Sequence, residues 1–113
     1  MSEIPSAEAL NLLSNWGRQN RKLAVLASNP CCVISFRNAR VTLCLDDLLQ
    51  LSCKEEGIVR FFVRGALFAP ADPKDFPAES SAWSAEFEQG VQIRFVNVEM
   101  QCFVFPEREK AAA

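Results

Sequence analysis

The segment RFFVRG at residues 60–65 places two arginines around an aromatic residue, a spacing that could bind a polyanion. In an extended strand successive side chains point to opposite faces, so Arg60, Phe62 and Arg64 share one face. An exposed aromatic ring can stack on a nucleobase while the flanking guanidinium groups neutralise phosphates, and this combination binds single-stranded nucleic acid. The pattern is equally that of a half-buried strand whose arginines lie in water, and we favour this second interpretation.

Three further arginines alternate outward from their predicted strands and would extend the basic face. The candidate nucleic-acid-binding residues are therefore Arg37, Arg40, Arg60, Phe62, Arg64 and Arg94. The formal net charge of −2 does not favour a polyanionic partner. Arginines on strands usually lie in solvent or pair with carboxylates, here Glu86, Glu88 and Glu99. Weak, sequence-tolerant binding of single-stranded nucleic acid is thus the alternative to our main expectation.

The main expectation comes from the aromatic residues, which comprise nine phenylalanines and two tryptophans. The phenylalanines occupy both odd and even positions of their predicted strands and therefore point to both faces, so both faces of some strands must be covered. A fully closed barrel with a helix as its lid would cover them, and so would a second subunit. We expect protein–protein association, in the simplest case a homo-oligomer, with the interface formed by Trp16, Phe61, Phe103 and Phe105.

The residues needed for most catalytic systems are missing. Histidine is absent, which removes Ser-His-Asp and Cys-His nucleophile systems and every histidine metal site. Neither GxxxxGK[ST] nor GxGxxG occurs, so phosphate cradles of these two kinds are also excluded. The adjacent carboxylates Asp46 and Asp47 are typical of a turn or a helix cap. We expect a protein that is not an enzyme and that uses no cofactor and no metal.

The cysteines number five, an odd count that does not suit a disulfide framework. No CxxC motif occurs, and each cysteine has apolar neighbours in the sequence. We therefore expect reduced, buried cysteines that act as small hydrophobic residues. Cys31 and Cys32 are adjacent and would point to opposite faces of a strand, which disfavours a shared metal.

One helix is predicted, and it precedes the strand segments. Residues 6–19 have apolar side chains at i, i+3, i+4 and i+7, which form one helical face: Ala9, Leu12, Leu13 and Trp16. Ser6 is the expected N-cap, and Gly17 or Asn20 the expected end. The face predicts a helix that covers a sheet or barrel.

Residues 22–105 carry strand signals interrupted by turns. Asn38 can adopt the positive φ of a tight hairpin, and Gln89-Gly90 gives a second hairpin signal. Gly65 inside a long apolar run indicates a bulge or bend. The alternating apolar residues lie at odd positions up to Phe95 and at even positions from Val96 onward, and this change predicts a β-bulge near Phe95–Val96.

These elements predict a mainly β domain, α+β by count, with an N-terminal helix and a five- to six-stranded antiparallel small barrel or sandwich. The order of elements resembles the layout of Sm-like and SH3-like barrels. A single domain spans residues 1–113, with an acidic proline-rich loop at 70–82 and a tail at 106–113. No apolar run is long enough for a membrane helix, and residues 1–10 lack the features of a secretory signal. The expected location is cytoplasmic.

Overall fold

The computed structural model describes residues 3–53, 57–75, 84–96 and 98–108. This part of the chain contains one complete helix, seven strands, one turn of 3-10 helix at Pro73–Asp75 and two further helical residues, Ser84 and Ala85. The helix and strands are α1 Ser6–Arg18, β1 Leu23–Ser28, β2 Val33–Cys44, β3 Leu48–Cys53, β4 Gly57–Phe62, β5 Leu67–Ala71, β6 Gly90–Phe95 and β7 Met100–Pro106. An N-terminal helix followed by strands confirms the mainly β, α+β class.

The strands form one antiparallel sheet in the order β4-β3-β2-β1-β7-β6-β5. Two meanders, β1 to β4 and β5 to β7, meet where β1 pairs with β7, from Leu23 opposite Pro106 to Ser28 opposite Gln101. The sheet has seven strands, not the expected five or six. It is not closed, because β4 and β5 are its two edges.

The sheet is strongly curled, because a short connection joins its two edges. β4 ends at Phe62 and β5 begins at Leu67, so the linking residues span at most about 19 Å. A flat sheet would separate its first and seventh strands by about 29 Å. Curling brings β4 toward β6, and the ring of Phe61 stacks on that of Phe95 with centroids 6.0 Å apart.

Helix α1 packs on the concave face of the curled sheet. Its residues Ala9, Leu13 and Trp16 are buried in the main core. Close approach to β2 requires glycine at position 17, since a Cβ there would lie 2.9 Å from the Val41 carbonyl oxygen. Before the helix, the Ile4 N–H donates to the Phe68 carbonyl at 2.8 Å. This bridge covers part of the outer edge of β5.

The two ends of α1 agree with the sequence prediction to different degrees. At the N-terminus the cap is Pro5, and no side chain caps the helix, so the expected Ser6 cap is wrong. At the C-terminus Asn20 has φ of 55°. The Asn20 N–H donates to the Gly17 carbonyl and the Arg21 N–H to the Trp16 carbonyl, the Schellman arrangement. The predicted end at Asn20 is therefore confirmed.

A smaller apolar cluster lies on the convex face of the sheet. It consists of Ala24, Leu26, Ala71, Phe87 and Phe105, with Phe103 packed against it. Residues 84–88 cross this face and place Phe87 over it. Phe61 and Phe105, which point to opposite faces of the sheet, are thus both covered within one chain.

Three of four predicted turns or bulges take other forms. Asn38 has the expected positive φ of 59°, but it lies inside the long strand β2, at a shift in the register with β1. The bend predicted at Gly65 is confirmed, because Gly65 has φ of 74° in the turn between β4 and β5. Phe95 ends β6, so the change of parity beyond it is a turn between strands and not a bulge. Gly90 begins β6, and Ser84 and Ala85 before it are helical, so no hairpin forms there.

The predicted loop and tail lie partly outside the described residues. The loop at 70–82 is described as far as residue 75, and residues 76–82 lie outside. In the predicted tail, Pro106 still belongs to β7 and Glu107 forms a bridge with Phe87. Residues 109–113 lie outside the described chain.

Candidate interaction surface

Phe62, the last residue of β4, is the most exposed large apolar side chain in the described chain, at 76%. It pairs with Leu48 of β3. Alternation along the strand turns the neighbouring Phe61 into the core, where it is buried. The strand therefore presents one phenylalanine to each face, and the outer one is uncovered by the chain itself.

Two valines of the turn between β6 and β7 lie beside Phe62. Val96 is 65% exposed and Val98 is 58% exposed. Together with Phe62 and Arg64, they line a small cleft of about 170 Å³. Because these four residues line one cleft, they lie close together on the surface. Phe62, Val96 and Val98 are called the Phe62 surface below.

A larger cleft of about 570 Å³ adjoins the Phe62 surface and shares Val96 and Val98 with it. It lies between the turn that joins β1 to β2 and the turn that joins β6 to β7. Leu67, Phe95 and Met100 supply apolar lining. The large cleft is therefore a concave site with both polar and apolar lining, next to a protruding aromatic side chain.

Charges of both signs surround this apolar area. The Arg64 side chain is 85% exposed, and its nearest carboxylate is that of Asp47 at 3.6 Å. This separation is long for an ion pair and leaves Arg64 available to another carboxylate. Arg94 and Glu99 both line the large cleft and both are exposed. One surface thus carries cations and an anion around an apolar centre.

The predicted basic face is divided. On the outer face of β2 to β4, the Arg60 Nε donates to the Gln50 Oε1 at 2.7 Å, and the Gln50 amide donates to Thr42 at 3.2 Å. Arg40 lies nearer to α1, and its Nε is 3.4 Å from the Asn20 carbonyl oxygen. These contacts engage both guanidinium groups in holding the fold.

Arg37 is separated further from the predicted face. Its guanidinium lies 2.6 Å from a Glu86 carboxylate oxygen and 5.1 Å from the centre of the Phe87 ring. It therefore helps to hold residues 84–88 on the convex face. Of the six predicted binding residues, Phe62, Arg64 and Arg94 lie around the two connected clefts, whereas Arg37, Arg40 and Arg60 make contacts elsewhere.

The predicted interface residues are largely covered within the chain. Trp16 and Phe61 are buried in the main core and Phe105 in the convex cluster. Phe103 is half-buried and stacks on Phe105, with centroids 6.2 Å apart. Little of their apolar surface remains for a second subunit. The exposed valines beside Phe62, Val96 and Val98, were not predicted as interface residues, although the change in apolar alternation at this point of the sequence indicated an irregular backbone.

The expectation that all cysteines are buried is partly wrong. Cys53 and Cys102 are buried and Cys44 is half-buried, whereas Cys31 and Cys32 are exposed in the turn between β1 and β2. Both of their N–H groups donate to the Asn29 side-chain oxygen, at 2.8 and 3.0 Å, which fixes a turn. Burial raises the pKa of the Cys102 thiol to about 12. No cluster of three or more potential metal ligands occurs in the described part of the chain.

Comparisons with known proteins add no relative. No protein-family model matches the chain, and neither a curated protein nor a solved structure does. In the described residues, the helix is too short and too polar to cross a membrane.

Proposed function

We propose that this chain is a non-enzymatic binding domain that acts by protein–protein association, in the simplest case with a second copy of itself. The observation that carries the proposal is the Phe62 surface, in which Phe62 is 76% exposed beside two exposed valines. An Sm-like or SH3-like layout is kept as part of this proposal for the order of elements alone, and the binding role does not rest on it.

Single exposed apolar residues are common on soluble proteins and need no explanation. Contiguous apolar area around a cleft is different, because a partner can cover all of it at once. Interfaces are enriched in aromatic residues, and such residues supply much of the binding energy at interface centres. The Phe62 surface has this composition, with an aromatic side chain among aliphatic ones and charged residues around them.

Sedimentation equilibrium of the wild type and of Phe62→Ser tests the proposal. Burying the exposed part of one phenylalanine contributes about 2 kcal/mol, and a symmetric dimer would bury two. We expect a dimer whose Kd rises at least about a hundredfold in Phe62→Ser, since each 1.4 kcal/mol is about tenfold.

The matched control is Ile58→Ser. Ile58 is also on the outer face of β4 and is 57% exposed, but it lines neither cleft. Self-association should survive this change. A wild type that stays monomeric at millimolar concentration, or an equal loss in both variants, would refute a role for the Phe62 surface in self-association.

Binding of single-stranded nucleic acid is the second candidate function. The observation that favours it is the exposed ring of Phe62, with the exposed Arg64 side chain beside it at the same small cleft. Fluorescence anisotropy with a labelled oligothymidine at several salt concentrations tests it. Phosphate contacts make affinity fall steeply with salt, whereas association through apolar area should hardly weaken.

A further inference from the structure

We propose that two copies of the chain associate by a reciprocal exchange in which Phe62 of each copy enters the large cleft of the other. In this arrangement Arg64 of each copy meets Glu99 of the other. The inference rests on the proposed function and specifies its geometry: the partner is a second copy, and the contact has two-fold symmetry.

The shape of the surface supports an exchange. Phe62 protrudes, and the large cleft beside it is concave and partly lined by Leu67, Phe95 and Met100. A two-fold contact uses the same patch on both subunits, so the patch must carry both the inserting group and its receiving site. Val96 and Val98 line both clefts and therefore lie between the two. A two-fold axis near these valines would bring each Phe62 toward the cleft of the opposite copy.

The charges support the same arrangement. Arg64 lines the small cleft on one side of the valines, and Glu99 lines the large cleft on the other. An axis between them exchanges their positions, so each arginine of one copy faces the glutamate of the other. Among the described residues, Arg64 makes one ion-pair contact, with Asp47 at 3.6 Å. Arg94 also lines the large cleft, so the charge support for the arrangement is the specific pairing of Arg64 with Glu99, which places opposite charges together at two symmetric contacts.

An exchange of charges tests this geometry directly. In Arg64→Glu, two glutamates from opposite copies would meet at each of the two contacts, and in Glu99→Arg two arginines would meet. Like charges brought together across an interface oppose association. We expect each variant alone to raise the Kd of self-association by roughly tenfold to a hundredfold. Both positions are exposed, so circular dichroism should show that both variants fold.

Mixing the two variants is the decisive measurement. In a mixed dimer, the glutamate introduced at position 64 of one chain meets the arginine introduced at position 99 of the other. At the second contact the native Arg64 meets the native Glu99, so both contacts regain opposite charges. Native mass spectrometry of one isotopically labelled variant mixed with the other should show a heterodimer in large excess over either homodimer. Its Kd should return to within about threefold of the wild-type value, since the same two contacts are restored.

The outcomes separate the two proposals. A wild type that never associates overturns the proposed function and this inference together. Self-association that Phe62→Ser weakens but that mixing does not restore overturns the exchange and leaves the Phe62 surface as the interface. Charge variants that associate as tightly as the wild type overturn the exchange as well. If the chain stays monomeric and binds oligothymidine with a steep salt dependence, both proposals on self-association are overturned and the surface is one that binds nucleic acid.

Discussion

Replacing Gly90 by alanine should destabilise the fold more than any other glycine-to-alanine change in the described chain. A Cβ at Gly90 would lie 1.9 Å from the Val104 carbonyl oxygen and 2.8 Å from Phe105 Cδ1. The phenylalanine ring can rotate, but the carbonyl belongs to the backbone of β7, which is paired on both sides by β1 and β6. The methyl group is therefore accommodated only if β6 moves away from β7.

The magnitude follows from this geometry. Inserting a methyl group into a well-packed site costs about 1–3 kcal/mol, and more when the backbone must shift. We expect a loss of about 3 kcal/mol or more in the free energy of unfolding, from a total of about 5–15 kcal/mol for a domain of this kind. Gly65→Ala is the comparison. A Cβ there meets nothing within 4 Å, but φ is +74°, so only the left-handed backbone costs about 1–2 kcal/mol.

Urea unfolding followed by circular dichroism measures both changes. With an m value of about 1.5 kcal/mol per molar, Gly90→Ala should lower the midpoint by about 2 M and Gly65→Ala by about 1 M. The reasoning fails if Gly90→Ala costs no more than Gly65→Ala. That result would mean that β6 and β7 are not this close at Gly90.

Three further predictions concern the convex cluster and the cysteines. Phe87→Ala should lower the free energy of unfolding by about 3–5 kcal/mol, because a buried phenylalanine is lost. Glu86→Gln should cost at most about 1 kcal/mol, because its pair is half exposed; equal effects in urea unfolding would contradict this. Cys31 and Cys32 should react with iodoacetamide in the native state, whereas Cys102 should react only after unfolding, as peptide mass mapping would show. Burial raises the pKa of Cys102 to about 12 from an ordinary 9.0, so below about pH 9 the titration of this thiol costs the folded chain no free energy of unfolding. Stability then declines toward pH 12, by up to about 1.4 kcal/mol per pH unit, and Cys102→Ala should remove that part of the decline in urea midpoints measured across this range.

The helix and the strand character of the chain were predictable because both rest on local periodicity. The period of α1 places Ala9, Leu13 and Trp16 on one face, and this face is the buried one. The number of strands and the openness of the sheet could not be predicted from local periodicity. Asn38 illustrates why: a positive φ suits a hairpin and a bulge equally, and only the pairing of β2 with distant strands decides between them.

For the candidate site, too, one part could be predicted from the sequence and another could not. Alternation along β4 correctly assigns Phe61 and Phe62 to opposite faces. It does not tell which face the rest of the chain covers, because that depends on segments remote in sequence. Phe105 is covered by residues 84–88, a segment whose sequence pattern predicts a strand. The joining of the small and large clefts depends on the curl of the sheet, which no local pattern encodes.

Because β1 pairs with β7, the sheet cannot be completed until the last strand has been synthesised. Synthesis proceeds from the N-terminus, so the meander from β1 to β4 is available while β6 and β7 are still missing. During that interval β1 is an open edge, and Leu23 and Val25 lack the partners that bury them in the finished core. Closing so long a stretch of chain is slow compared with forming local hairpins, on a scale of milliseconds to seconds for sheets with distant pairings. We therefore expect the pairing at the centre of the finished sheet to be a late step, and until β7 has been made β1 is a strand edge open to pairing with another chain.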